Sequence, residues 1–442
     1  MKLTLIKPNI GRSEHSLYAD EGRMEPLMLG VLAGLTPPRV EVALYDDRVE
    51  PIPYDEPTGL VGITAETFTA RRAYEIAAEY RMRGVRVVLG GMHPTLLPEE
   101  AARHADCVVT GDAEQVWGQV IADAERGALK SRYHGEPGVA QGDSIPRRDL
   151  YAGKGYLPIS LMQFSRGCRF SCGFCAVSRY FEGRQHVREV EAVVREIERS
   201  GAKFVFFVDD NIASDAKALR ELCAALTPLR VKWVSQASLD MTRDCALMSA
   251  MEKSGCLGNV VGFESVTEES LREMGKHHNL HAWSGYREEI RILRDHGLQT
   301  WAAFTIGHDH DTPASVEATV EFALRNHFAF AAFNILMPYP GTPLYRGLAE
   351  QGRLLYDGAW WLHPSYRFNS AAFVPRRMSP GELTEVCHAA RTRFNSIPSL
   401  LRRFSDLRLN ARSLWRTLSY WGYATLFRRE VHKKHGLRFG LK

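Results

Sequence analysis

Three cysteines, Cys168, Cys172 and Cys175, stand three and then two residues apart in the run Cys-Arg-Phe-Ser-Cys-Gly-Phe-Cys. That spacing lets one tight loop aim three thiolates at a common point, and it serves a cluster rather than a fold. A [4Fe–4S] cube has four irons, so three protein sulfurs leave one iron open to bind and reduce a small molecule. A fully ligated cluster mainly passes electrons. Zinc sites show paired C-x2-C knuckles or added histidines; here there is one triplet and no second pair. Disulfides need an oxidising compartment, and no secretory signal precedes the triplet, so a reducing cytoplasm is expected. The other five cysteines (Cys107, Cys223, Cys245, Cys256 and Cys387) show no pairing pattern, and most of them read as small buried apolar residues.

The surrounding pattern shows what must position the triplet. Residues 159–164 read as a short buried strand, and Val187, Val190, Val193, Val194 and Ile197 repeat at helical spacing. The cysteines therefore occupy a strand-to-helix loop. Polar groups recur at the following strand ends. Asp209, Asp210 and Asn211 close residues 203–208; Ser235, Gln236 and Ser238 close the next strand; Glu264 closes residues 258–263. Carboxylates there can accept charge-assisted hydrogen bonds from an ammonium, although Asp and Asn are also favoured as helix N-caps. The run His308-Asp309-His310-Asp311 would place both histidines on one side of an extended strand. It lies between a strand end and Thr312-Pro313, a helix start, and is read as structural punctuation. Met337 to Pro343 is a proline-rigid turn whose Tyr339 is available to a substrate pocket.

The 442 residues suffice for two or three domains. Residues 1–130 alternate strands and helices and predict a Rossmann-like parallel sheet. Ligands in such sheets bind beyond strand carboxyl ends, here at Asn9, Thr64 to Glu66, Gly90-Gly91 and Gly111 to Glu114. Residues 131–155 read as a linker, 156–345 as six βα units forming a partial barrel, and 346–442 as a mostly helical domain. The fold class is α/β throughout the first two. A net charge of +4 does not call for nucleic acid. Its distribution is uneven: from Arg391 onward there are thirteen Lys/Arg and two acids. No apolar run approaches the ~20 residues of a spanning helix. The tail around Leu414, Leu418, Trp421 and Phe427 has three readings: a helix lying on a membrane, a docking face for an acidic electron donor, or a helix capping the barrel.

The triplet, with Phe174 before its third cysteine, resembles the signature of the radical S-adenosylmethionine enzymes. The resemblance implies that the open iron chelates S-adenosylmethionine and that an electron from a flavodoxin, ferredoxin or dedicated reductase releases a 5′-deoxyadenosyl radical. On it, Phe174, Asp209, Asp210, Asn211, Ser235, Gln236, Ser238 and Glu264 are cofactor-binding candidates, with Asp209 and Asp210 standing where the family often has Gly-Gly-Glu. The domain order, Gly90-Gly91 and the stretch Pro338 to Pro343 resemble the cobalamin-binding-domain subgroup. Many such domains carry Asp-x-His-x-x-Gly after the first strand, and this chain does not: His15 has Ser13 two before it and Tyr18 three after it. Cobalamin binding thus stays open. The missing motif favours corrin-independent chemistry, dehydration or deoxygenation of a small molecule such as an aminosugar in antibiotic biosynthesis, as in the aminoglycoside-type radical diol dehydratases. The alternative is a cobalamin-dependent radical C-methyltransferase.

Overall fold

Short runs of Val, Leu and Ile, separated by helices, leave the early part of the chain little choice but a parallel sheet covered on both faces. In the computed structural model, which describes residues 1–11, 23–138, 145–280 and 286–441, these runs are β1 (Lys2–Lys7), β2 (Glu41–Asp46), β3 (Leu60–Thr64), β4 (Arg86–Gly90), β5 (Cys107–Gly111) and β6 (Arg132–Gly135). The sheet order is β2-β1-β3-β4-β5-β6, and every neighbouring pair is parallel. Leu3, Leu5, Leu60, Val88, Cys107 and Val109 form its core with Trp117 and Ile121. Strand order reverses between β1 and β3, where a doubly wound sheet opens a crevice beyond its strand ends. His15 lies outside the described residues.

This first unit is discontinuous: Met1–Pro158, Tyr356–Phe368 and Leu437–Lys442. The stretch read as a linker supplies β6, because Tyr133 is buried and its hydroxyl donates to Asp123 at 2.7 Å. The two later segments join through aromatic packing. Phe68 meets Trp360 at 5.1 Å, and Tyr366 meets Phe439 at 5.0 Å between ring centroids.

The second unit comprises Ile159–Leu355 and Asn369–Gly436. Its strands are β7 (Ser160–Met162), β10 (Phe204–Phe207), β11 (Lys232–Ala237), β12 (Cys256–Glu264), β13 (Gln299–Ile306) and β14 (Phe330–Ile335). They form an open parallel sheet, β14-β13-β12-β11-β10-β7, with β7 and β14 as edges; this is the expected set of six, unclosed. A small antiparallel pair, β8 (Ser165–Gly167) and β9 (Gln185–Val187), stands apart from it. The segment read as one strand, 159–164, therefore leaves the large sheet at Gln163-Phe164, and β8 begins just beyond it. The helix following the cysteines is Ala176–Phe181, and the valine-periodic helix begins only at Val190. Glu182 and Gly183, both at positive φ, turn the chain between them.

The basic tail is built into this unit. Tyr420 is fully buried, and Phe427 packs on Trp301 at 4.7 Å and on Phe330 at 5.4 Å. Arg403, also buried, donates to Phe394 O at 3.0 Å and lies 3.9 Å over the Phe394 ring. Arg393 and Arg402 pair with Glu321. These contacts lie at the starts of β13 and β14, the end of the sheet opposite the strand ends that carry the polar residues. Arg393 and Arg402 thus offset an acid of the second unit itself. Among the described residues no helix is long and apolar enough to cross a membrane.

Candidate active site

The cysteine loop hangs from the carboxyl end of β7 by a set of hydrogen bonds, and Asp209 makes most of them. Its Oδ2 accepts the Phe164 N–H at 3.1 Å, and its Oδ1 accepts the Ser165 N–H and, at 2.5 Å, the Ser165 hydroxyl. Burial pushes the Asp209 carboxyl up to about 7, while the Ser165 hydroxyl and the two backbone N–H groups pull it down. Asp209 is fully buried and both of its oxygens are engaged in holding the loop. Half-buried Asp210 accepts the Gly167 N–H at 2.8 Å. Gly167 has φ +81°, and a Cβ there would stand 2.2 Å from Arg184 O, so only glycine fits.

Donors surround the sulfurs. Asn211 Nδ2 lies 3.5 Å from Cys168 Sγ and 2.9 Å from Ser238 Oγ, and its Oδ1 accepts the Ser238 N–H at 3.1 Å. Ser214 Oγ lies 3.8 Å from Cys168 Sγ. Cys175 caps the helix Ala176–Phe181; burial raises its thiol, and hydrogen bonds from Ser178 and the Val177 N–H oppose that. Burial pushes the Cys172 thiol up to about 11, with Lys276 pulling the other way. All three cysteines are free thiols. Among the described residues no group of three His, Cys, Asp or Glu is arranged to hold a single metal ion. A cubane needs no such convergence, because each thiolate binds a different iron, and hydrogen-bond donors around sulfur suit its negative charge. The donor set fits the cluster.

The remaining candidates divide. Ser235 Oγ donates to Phe207 O at 2.9 Å and is buried, a strand-to-strand contact. Gln236 Nε2 donates to Asp209 O at 3.2 Å. Glu264 receives Lys276 Nζ at 2.6 Å on one oxygen and the Thr305 hydroxyl at 2.6 Å on the other. Burial opposes its charge, but Lys276 and Thr305 more than offset this and hold its carboxyl below the usual range. Phe174 is half-buried, its ring edge-on to His308 at 6.5 Å. Asp311 accepts the Gly307 and His308 N–H groups at 2.8 and 3.0 Å, and Asp309 pairs with Arg353 and Arg376. The His-Asp-His-Asp run is therefore punctuation, as its position predicts. Lys276, Thr305, Ser165 and Ser214 were not singled out from sequence. Lys276, Thr305 and Ser214 are distant from the triplet in the chain, and no spacing links them to it; Ser165 lies three residues before Cys168 and carries no motif of its own.

In the first unit, the strand ends carry hydroxyls, glycines and backbone groups, beside the buried carboxylates Asp46 and Asp47, which pair with Arg48 and Arg72. Gly91 has φ +102°, and a Cβ there would lie 2.8 Å from Ala65 O. Thr95 Oγ1 accepts the Gly111 N–H at 3.0 Å. Asn9 is buried against Asp47, its N–H 3.2 Å from Asp47 Oδ2. Such a rim suits a large, amide-bearing macrocycle better than a compact ion. His93 is buried with its nitrogens at 3.3 Å from Thr67 Oγ1 and 2.9 Å from Glu100 Oε1.

Two family descriptions match the chain: Radical SAM superfamily over residues 162–323 and B12 binding domain over residues 26–121. The bacteriochlorophyllide d C-8(2)-methyltransferase of Chlorobaculum tepidum is 33% identical over 366 residues, covering 76% of this chain and 80% of that protein. The C-12(1)-methyltransferase of the same organism is 29% identical over 398 residues, covering 87% and 85%. The chain belongs to the radical S-adenosylmethionine enzymes that carry a B12-binding domain. Its fold is also that of the radical S-adenosylmethionine methyltransferase TsrM from Kitasatospora setae, solved with cobalamin and a [4Fe–4S] cluster. The TM-score is 0.67 at 15% identity, over 98% of this chain and 99% of that one.

Proposed function

We propose that the protein is a cobalamin-dependent radical methyltransferase acting on a carbon of a small molecule. The observation that carries this reading is the union, in one chain, of the three-cysteine loop and a B12-binding domain, a union shared with relatives named as methyltransferases. Those relatives favour methylation over the dehydration that the absent Asp-x-His-x-x-Gly motif suggests, and lend the dehydratase comparison no support. When bound, the cluster and S-adenosylmethionine supply a 5′-deoxyadenosyl radical that removes a hydrogen atom, and a corrin supplies a methyl group.

The chain's own residues divide the work. Cys168, Cys172 and Cys175 hold the cluster, and Asn211, Ser214 and Ser178 direct donors at their sulfurs. Asp209 fixes where the loop leaves the sheet. Asp210, less buried than Asp209, is the carboxylate suited to the methionyl ammonium. Phe174, Gln236 and Ser238 border the same strand ends and position the nucleoside. Glu264 acts with Lys276 as one buried pair rather than as a lone acceptor.

The test is anaerobic reconstitution with iron, sulfide, hydroxocobalamin and S-adenosylmethionine. Stoichiometric corrin in the visible spectrum, with S-adenosylhomocysteine and 5′-deoxyadenosine formed in parallel under reduction, supports methyl transfer. 5′-Deoxyadenosine without S-adenosylhomocysteine, from protein that retains no corrin, overturns it.

A further inference from the structure

The segment from Met274 to His278 is clamped to the cysteine loop at both ends. Met274 O accepts the Gly173 N–H at 3.1 Å, and the His278 ring stacks on Phe170 with centroids 3.7 Å apart. Cys172 lies between the two anchored loop residues, and Lys276 lies between the two anchors opposite it. Lys276 is 8% exposed, and an ammonium leaves water only against strong compensation. Glu264 gives part of it at 2.6 Å, but that carboxylate is shared with the Thr305 hydroxyl. The pair is deliberately housed. Glu264 sits at φ +63°, a costly backbone for a residue with a side chain. A Cβ on Gly262 would come within 2.4 Å of Glu264 Oε1 and 2.6 Å of Lys276 Nζ. A pair serving only to fill the interior has no need of a position against the loop that carries the sulfurs.

We propose that Lys276 is the counter-charge of the cluster, raising its reduction potential so that an external one-electron donor can fill it. The inference rests on the reading of Cys168, Cys172 and Cys175 as cluster ligands. An oxidised cubane with three thiolates carries one net negative charge. One electron, taken from a flavodoxin- or ferredoxin-class donor, makes that two; no bond breaks and no proton moves. A fixed cation in a buried wall stabilises the dianionic cluster more than the monoanionic one, and so favours the reduced state. Glu264 opposes it and sets how far the potential rises.

The experiment is a mediator-equilibrated redox titration, followed by electron paramagnetic resonance, of reconstituted wild type, Lys276→Met, Lys276→Arg and Glu264→Gln, without S-adenosylmethionine. Iron and sulfide are counted in each, and S-adenosylmethionine affinity is measured separately. Lys276→Met is expected to keep its iron and to be at least tenfold harder to reduce, a drop of about 59 mV for one electron. Lys276→Arg stays close to wild type, and Glu264→Gln shifts the opposite way. A full cluster with unchanged potential in Lys276→Met overturns the proposal, and a loss of S-adenosylmethionine affinity alone would assign Lys276 to that ligand's carboxylate instead. If Lys276→Met loses its cluster, Glu264→Gln decides: a potential that does not rise overturns the proposal. Wild-type protein that takes up no cluster overturns the ligand reading and this proposal with it, and the iron count shows which has failed.

Discussion

At the strand ends of the second unit stand acids, amides and a buried lysine: Asp209, Asp210, Asn211, Glu264 and Lys276. At those of the first stand Asn9, Thr64, Gly91 and Gly111, beside buried Asp46 and Asp47, whose charges are already matched by Arg48 and Arg72. Both sheets are six-stranded and parallel, and both follow the rule that ligands lie beyond strand carboxyl ends. The contrast lies in what each must grip. Sulfur ligands, an ammonium and a carboxylate are recognised by point charges and directed hydrogen bonds, so the second unit buries titratable groups at a cost. A broad macrocycle is recognised by room and by backbone approach. The first unit accordingly keeps its buried histidine, His93, for its own interior.

If the division is right, the two sites can be broken independently. The largest effect is expected for Cys172→Ala. It loses bound iron and all 5′-deoxyadenosine formation while retaining corrin, measured by iron assay and visible spectrum. Gly91→Val is the reciprocal. The left-handed backbone and the contact with Ala65 cost about 1–3 kcal/mol, and corrin retention falls while iron content holds; a variant that loses both shows that the sites are not separable.

Asp209→Asn sharpens the comparison through pH. A carboxyl raised from 3.8 to about 7 binds a proton in the folded state that the unfolded chain has released. Its contribution is therefore full below the ordinary aspartate range and is lost as pH rises toward 7, at about 1.4 kcal/mol per pH unit. Denaturant titrations of the apo-protein between pH 5 and 7 should show wild type losing stability relative to Asp209→Asn by that slope; parallel curves would remove Asp209 from its buried anchoring role. The smallest effect is expected for His93→Gln. It costs about 1 kcal/mol through one lost hydrogen bond, seen in denaturation, with corrin retention unchanged. Loss of corrin there would make His93 a cofactor residue.

The triplet and most strands were legible because both are local. Residues 203–208 become β10, Phe204–Phe207, and residues 258–263 become β12, Cys256–Glu264, so the ends shift by no more than two residues. Asp311 holding the backbone of Gly307 and His308 matches the punctuation read from Thr312-Pro313. What was not legible depends on distant chain. Asp209 before a turn reads as a cofactor grip until its complete burial under Phe164 and Ser165 is seen. Lys276 carries no signal at all. Its place opposite Cys172 is set by one backbone hydrogen bond and one ring stack across about a hundred residues. The helix assigned directly after the cysteines came too late, because Ala176–Phe181 is too short to show a period.

The first unit closes its aromatic cluster with Phe439, far downstream of Phe68. Ribosomes add roughly 5–20 residues per second, so the nascent domain waits on the order of tens of seconds, while the whole intervening fold is made, for its last ring. Ordering of that cluster is thereby tied to synthesis of the segment from Leu437, and a chain clipped before it would leave Phe68 and Trp360 without the Phe439 ring.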